Sequence, residues 1–135
     1  MPVPEPPQGG RGPASRLVLI VDDDARNLKL ARDVLLAAGF RTLVARDGAE
    51  AVALGAEHLP DVILMDLRLP DMDGSDAAGT LSKNASTAAI PVVAFSSLPL
   101  EDDAGWLQRA GFAGRLEKPI DVEAFPERVR RFARG

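Results

Sequence analysis

The run Val62-Ile63-Leu64-Met65 constrains this chain most. Four apolar residues in a row, with Pro60 ahead and Asp66 directly behind, are too few for a helix. Such a short continuous run suits a strand buried on both faces of a parallel sheet. Pro70-Asp71-Met72-Asp73-Gly74 then reads as a loop. In open parallel α/β sheets, chemistry gathers just outside the carboxyl ends of the strands. Asp66 falls there.

The rest of the chain repeats this pattern. Leu17–Val21 is an all-apolar strand that runs into Asp22-Asp23-Asp24. A helix follows from about Ala25, with Leu28, Ala31, Leu35 and Ala38 on one face and Gly39 as its stop. Phe40–Ala45 is a second strand, and Asp47 with Glu50 resembles a capping box opening a helix toward Glu57. After the Asp66 strand, Ser75–Ala85 is expected as a third helix, although Gly79, Thr80 and Ser82 form helices poorly. Ile90–Phe95 is a fourth buried strand, with Pro91 tolerated near its start. Glu101, Asp102 and Asp103 favour a helix N-terminus, Trp106, Leu107 and Ala110 face inward, and Gly111 ends that helix. Phe112–Leu116 is a fifth strand. The last helix carries Val122, Phe125, Val129 and Phe132 at helical spacing, and Pro126 near its first turn is expected to cost a hydrogen bond. Strict alternation of five strands and five helices predicts a doubly wound α/β domain.

Composition excludes several classes. With 135 residues the chain suits one domain. A net charge of −4 gives no general attraction to nucleic acid or anionic membranes, and 4% aromatic content leaves few stacking platforms. Without cysteine there are neither disulfides nor thiolate metal sites. No apolar run approaches a membrane span and no signal-peptide core is evident, so a cytoplasmic protein is expected. Residues 1–15 are rich in Pro and Gly and are expected to be a disordered tail, with the folded domain over 16–134.

Four strands end in reactive groups: Asp22 and Asp23, Asp66, Ser96, and Lys118. Right-handed crossovers can set the first, third and fourth strands side by side and bring these groups together. Three carboxylates within a few ångströms repel, so the site must bind a cation or take up a proton. Hard oxygen donors point to Mg²⁺, whereas zinc is disfavoured by the absence of Cys and the single His.

Asp22-Asp23, Met65-Asp66, Phe95-Ser96 and Glu117-Lys118-Pro119, at their intervals, resemble the receiver domain of bacterial two-component response regulators. Ala25-Arg26-Asn27-Leu28-Lys29-Leu30 is similar to single-domain regulators and to receivers of hybrid histidine kinases. The resemblance implies a flavodoxin-like fold with strand order 2-1-3-4-5. It implies that Asp66 takes a phosphoryl group from the phosphohistidine of a sensor kinase or phosphotransfer protein. Mg²⁺ would be held by Asp23, Asp66 and the Arg68 backbone carbonyl, with Asp22 acting through a water. Lys118 would pair with Asp66 at rest, and Ser96 would turn its hydroxyl to the phosphate, shifting the domain between two states.

Other residues have plainer readings. Asp24 is an N-cap, Asp71 and Asp73 are solvated turn residues with Gly74 supplying backbone freedom, and His58 lies on the surface. Arg128, Arg130, Arg131 and Arg134 form a solvated face near a helix C-terminus. Four departures from the family pattern stand out: Ser96 for the common Thr, Ser97 for Ala, Arg115 for a switch aromatic, and Leu98-Pro99 with Pro126 on the output side. Arg115 is expected to stay outside, its guanidinium paired with an acid or a partner, because burying it unpaired is costly.

The expected function is a phosphoacceptor regulator acting through protein contacts. It would have no DNA-binding output domain, no nucleic-acid or membrane partner, and no catalysis beyond self-phosphorylation and autodephosphorylation. A monomer or weak homodimer is expected, contacting a downstream target. The alternatives are a pseudo-receiver scaffold, a receiver excised from a hybrid kinase, and an Mg²⁺-dependent phosphohydrolase. The last is disfavoured because no Asp stands two residues after Asp66.

Overall fold

The computed structural model describes residues 16–97 and 104–133. The expected tail, Leu98-Pro99, the acids Glu101 to Asp103 and Arg134 lie outside the described residues, as does the side chain of Trp106. The elements alternate as β1 (Leu17–Val21), α1 (Ala25–Ala37), β2 (Arg41–Ala45), α2 (Gly48–His58), β3 (Val62–Asp66), α3 (Gly74–Lys83), β4 (Val92–Ser96), α4 (Ala104–Ala110), β5 (Gly114–Glu117) and α5 (Phe125–Phe132). All strands are parallel, in the order β2-β1-β3-β4-β5. The order expected from the resemblance is therefore the one found.

Alternation along each strand divides the core in two. Val18, Ile20, Val62, Leu64, Val93, Phe95 and Leu116 pack with Leu28, Ala31 and Leu35 of α1 and Phe125 and Val129 of α5. Leu19, Val21, Ile63, Met65, Val92 and Ala94 pack with Ala51 of α2 and Ala77, Ala78 and Leu81 of α3. The central strands are buried on both faces, which is why they read as unbroken apolar runs. Phe95 stacks on Phe125 with ring centroids 6.0 Å apart, fastening α5 beneath the end of β4.

Several boundaries differ from expectation for local reasons. Phe40 is buried, but its N–H donates to Leu35 in the α1 cap, where Gly39 takes φ 97°, so β2 starts one residue later. Pro91 has no N–H to give, and the β4 ladder begins at Val92. Phe112 donates to Leu107 and closes α4, leaving β5 to begin at Gly114. α3 ends at Lys83, short of Ala85, where the buried Thr87 hydroxyl binds the Leu81 carbonyl.

The last helix corrects two expectations. Val122 does not belong to the buried stripe: it is 54% exposed, in a turn where Asp121 accepts from Glu123 and Ala124. Because α5 begins only at Phe125, Pro126 sits in the first turn, where an N–H has no intrahelical acceptor. The expected loss of a hydrogen bond does not arise.

Candidate functional site

The order of the strands brings the carboxyl ends of β1, β3 and β4 together, with β5 beside β4. Asp22 follows β1, Asp66 ends β3, Ser96 ends β4, and Lys118 follows β5. Together with Asp23, Asp24, Asn27, Arg68 and Ser97 they line a cleft of about 360 Å³. All of the residues expected at the site, apart from Arg115, meet there.

The cleft is organised by the Lys118 ammonium. Its Nζ lies 2.6 Å from Asp22 Oδ2 and 3.1 Å from Asp66 Oδ2. The Asp22 side chain is 1% exposed, so this pair is screened little by water. Lys118 also stands over the Phe95 ring, 4.9 Å from its centroid, a favourable place for a cation. The expectation that Lys118 pairs with Asp66 is therefore half the arrangement, for the shorter contact is to Asp22.

The remaining oxygens are engaged in different ways. Asp22 Oδ1 accepts from the Asp24 N–H at 2.9 Å, which commits both Asp22 oxygens. Asp66 Oδ1 accepts from the Arg68 N–H at 3.2 Å. Burial pushes the Asp66 carboxyl above its ordinary range, and Asp22 adds to this; Lys118 and the Arg68 amide oppose it. Asp23 is exposed. Asp24 is the N-cap of α1 as expected, accepting from Arg26 and Asn27. Ser96 is buried and lines the same cleft.

Asp22, Asp23 and Asp66 each offer an oxygen within 4.8 Å of the others, a hard donor set that fits Mg²⁺. Arg68 borders this set. In the loop after β3 it bridges Asp73, through bonds from Leu69 N to Met72 O and from Gly74 N to Leu67 O. The N–H and carbonyl of Arg68 itself take no part in those two bonds.

Two loop residues differ from their plainer readings. Gly39 and Gly111 are the glycines with positive φ among the described residues, so Gly74 is required for another reason. A Cβ at Gly74 would collide with the carbonyl oxygen of Asp66. Asp71 is exposed, but it is more than a solvated turn residue. Its carboxylate accepts from the N–H groups of Gly48 (2.8 Å) and Ala49 (3.0 Å) at the start of α2.

Arg115 lies away from the cleft, on the face of β5 opposite Leu116. It pairs with Glu117 at 2.6 Å as expected of an Arg with an acid, but it is not outside: only 25% of its side chain is exposed. Its Nε is buried without a hydrogen-bond partner among the described residues.

Residues 18–130 match the response regulator receiver domain family. The chain belongs to that family. The receiver is 35% identical over 118 residues to the polar-differentiation response regulator DivK of Brucella ovis, covering 87% of this chain and 96% of that one. Its fold matches the chemotaxis protein CheY4 of Vibrio cholerae with TM-score 0.81 at 24% identity, covering 87% and 98% of the two chains. It also matches the receiver domain of a sensor histidine kinase of Pseudomonas aeruginosa, crystallised with magnesium in its active-site cleft (TM-score 0.79, 27% identity, 87% and 97% covered). No helix among the described residues is long and apolar enough to cross a membrane.

Proposed function

We propose that this receiver is the phosphoacceptor of a two-component relay in the cytoplasm. In that role an Asp66 oxygen attacks the phosphorus of a phosphohistidine on a kinase or phosphotransfer protein. The P–N bond breaks, the imidazole leaves with its electron pair, and an acyl phosphate remains on Asp66. The observation that carries this reading is the sharing of one buried ammonium between two carboxylates. Lys118 can release Asp66 to bind the arriving phosphoryl oxygens while Asp22 still holds its Nζ.

Asp66 would be the nucleophile because it ends β3 in the cleft and makes the longer, more readily released contact to Lys118. Asp23, Asp66 and the Arg68 carbonyl would hold Mg²⁺ directly. Asp22, the more deeply buried acid and the one closer to Lys118, would hold a metal-bound water. When bound, Mg²⁺ screens the nucleophile from the incoming phosphate and offsets charge on the transferring group. Ser96, buried beside Asp66, would donate its hydroxyl to the new phosphate and report it to the β4–α4 loop.

Output would then be a change in protein contacts with a downstream target. Beyond self-phosphorylation and the later hydrolysis of its own acyl phosphate, the chain would catalyse nothing. With Mg²⁺ and acetyl phosphate, the protein should gain one acid-stable, base-labile phosphate, and Asp66→Asn should gain none. Incorporation by Asp66→Asn at the wild-type level removes Asp66 from the role.

A further inference from the structure

We propose that Asp71 is a positioning residue that ties the Arg68 loop to the start of α2, and so couples metal affinity to that helix. This rests on the reading of the Arg68 carbonyl as a metal ligand. The first turn of a helix has backbone N–H groups with no intrahelical acceptor. In α2 they are divided between two carboxylates. Asp47, the local N-cap, takes the N–H of Glu50 at 2.8 Å. The N–H groups of Gly48 and Ala49 go to Asp71, from a different part of the chain.

Asp71 stands in the loop between Asp66 and α3, and its neighbours complete the fastening. The Met72 side chain lies where a Cβ on Gly48 would have to go, so this helix start and this loop are in direct contact. The ladder across the loop joins Arg68 to Asp73, with Asp71 at its turn. Arg68 is therefore held from two sides. Its own N–H is bound to Asp66 Oδ1, and its loop is anchored through Asp71 to α2. A charged carboxylate on two backbone donors is a stronger tether than a neutral side chain would be.

Supports of this kind fix the geometry of a metal ligand without touching the metal. Coupling between two sites is reciprocal, so an ion that orders the Arg68 loop must also tighten the α2 start. Asp47 and Asp71 both cap α2, but only Asp71 links it to the site. That separates positioning from mere helix stability.

The test compares wild type, Asp71→Ala, Asp71→Asn and Asp47→Ala by amide hydrogen exchange and Mg²⁺ titration. In the absence of metal, Asp71→Ala should speed exchange at Gly48, Ala49 and Arg68, whereas Asp47→Ala should leave Arg68 unchanged. With MgCl₂, Asp71→Ala should bind at least about ten-fold more weakly, the size typical of losing an outer support. Asp71→Asn should recover part of that loss, and Asp47→Ala should bind like wild type. Added Mg²⁺ should slow exchange at Gly48 and Ala49 in wild type and not in Asp71→Ala. Unchanged exchange at Arg68, or equal losses of affinity in Asp47→Ala and Asp71→Ala, overturns the coupling. Failure of the wild type to bind Mg²⁺ instead overturns the metal reading, and the metal-free Arg68 exchange distinguishes the two failures.

Discussion

Lys118 Nζ approaches Asp22 more closely than Asp66, at 2.6 Å against 3.1 Å. One cation thus serves two anions, and the balance is unequal. Removing the ammonium leaves two nearby carboxylates, one of them buried, without compensation. Lys118→Met should lose roughly 3 kcal/mol of stability in urea without Mg²⁺. Asp66→Asn, which leaves a one-to-one pair with Asp22, should be close to neutral or stabilising. An Asp66→Asn variant destabilised as much as Lys118→Met contradicts this picture.

Metal binding should separate the two acids after β1. Asp23 is exposed and uncommitted to Lys118, whereas Asp22 is buried and holds Lys118 at the shorter distance. Calorimetric titration with MgCl₂ should show a larger loss of affinity for Asp23→Ala than for Asp22→Ala. Unaltered affinity in Asp23→Ala rules out its direct ligation.

The glycines of α3 should respond in opposite directions. At Gly79 an added Cβ meets nothing within 4 Å, so Gly79→Ala should stabilise by about 0.5–1 kcal/mol through helix propensity alone. At Gly74 the Cβ collides with backbone that cannot rotate away, and Gly74→Ala should lose about 3 kcal/mol, the upper range for overpacking. Urea midpoints measure both.

Asp71 gives a pH signature. The Gly48 amide, and then that of Ala49, holds its carboxyl below the ordinary value of 3.8. Since the folded-state value is the lower one, ionised Asp71 contributes fully above the unfolded value, and the contribution is lost as pH falls through the folded value. The difference in urea midpoint between wild type and Asp71→Ala should be largest near neutral pH and shrink below pH 3.8. A difference that holds constant through acid pH means the charge plays no part.

Arg115 keeps a buried Nε with no partner among the described residues, so it is held at some cost. Arg115→Met preserves the aliphatic stem and should leave stability unchanged or raise it by up to about 1 kcal/mol. With beryllofluoride standing in for the phosphoryl group, change should concentrate around Asp66, Ser96 and Lys118, with the Glu117 pair retained. Loss of that pair and a full inward move of Arg115 would count against a local response.

The strands and their chemical ends were legible because each is a short apolar run stopped by a polar residue, as in Val62 to Asp66. What could not be read were relationships across the chain. Asp71 lies more than twenty residues from the amides that it binds, and as an acid in a turn it looks like any solvated one. Glu50, whose spacing from Asp47 suggests a capping box, accepts instead from Arg46, one residue before the cap. Val122 continued the α5 spacing although the helix had not yet begun, since period alone carries no start signal. The cost of burying a cation predicts Arg115 outside, but its short pair with Glu117 offsets part of that cost.

The collision awaiting any side chain at Gly74 has a mechanical meaning. The first residue of α3 rests directly against the carbonyl of the residue proposed to carry the phosphate, with no compliant side chain between them. Strand end and helix are thus in rigid series, like a rod seated in a socket. A displacement of the Asp66 backbone toward α3 therefore meets the backbone of the helix itself, with no side chain there to yield first.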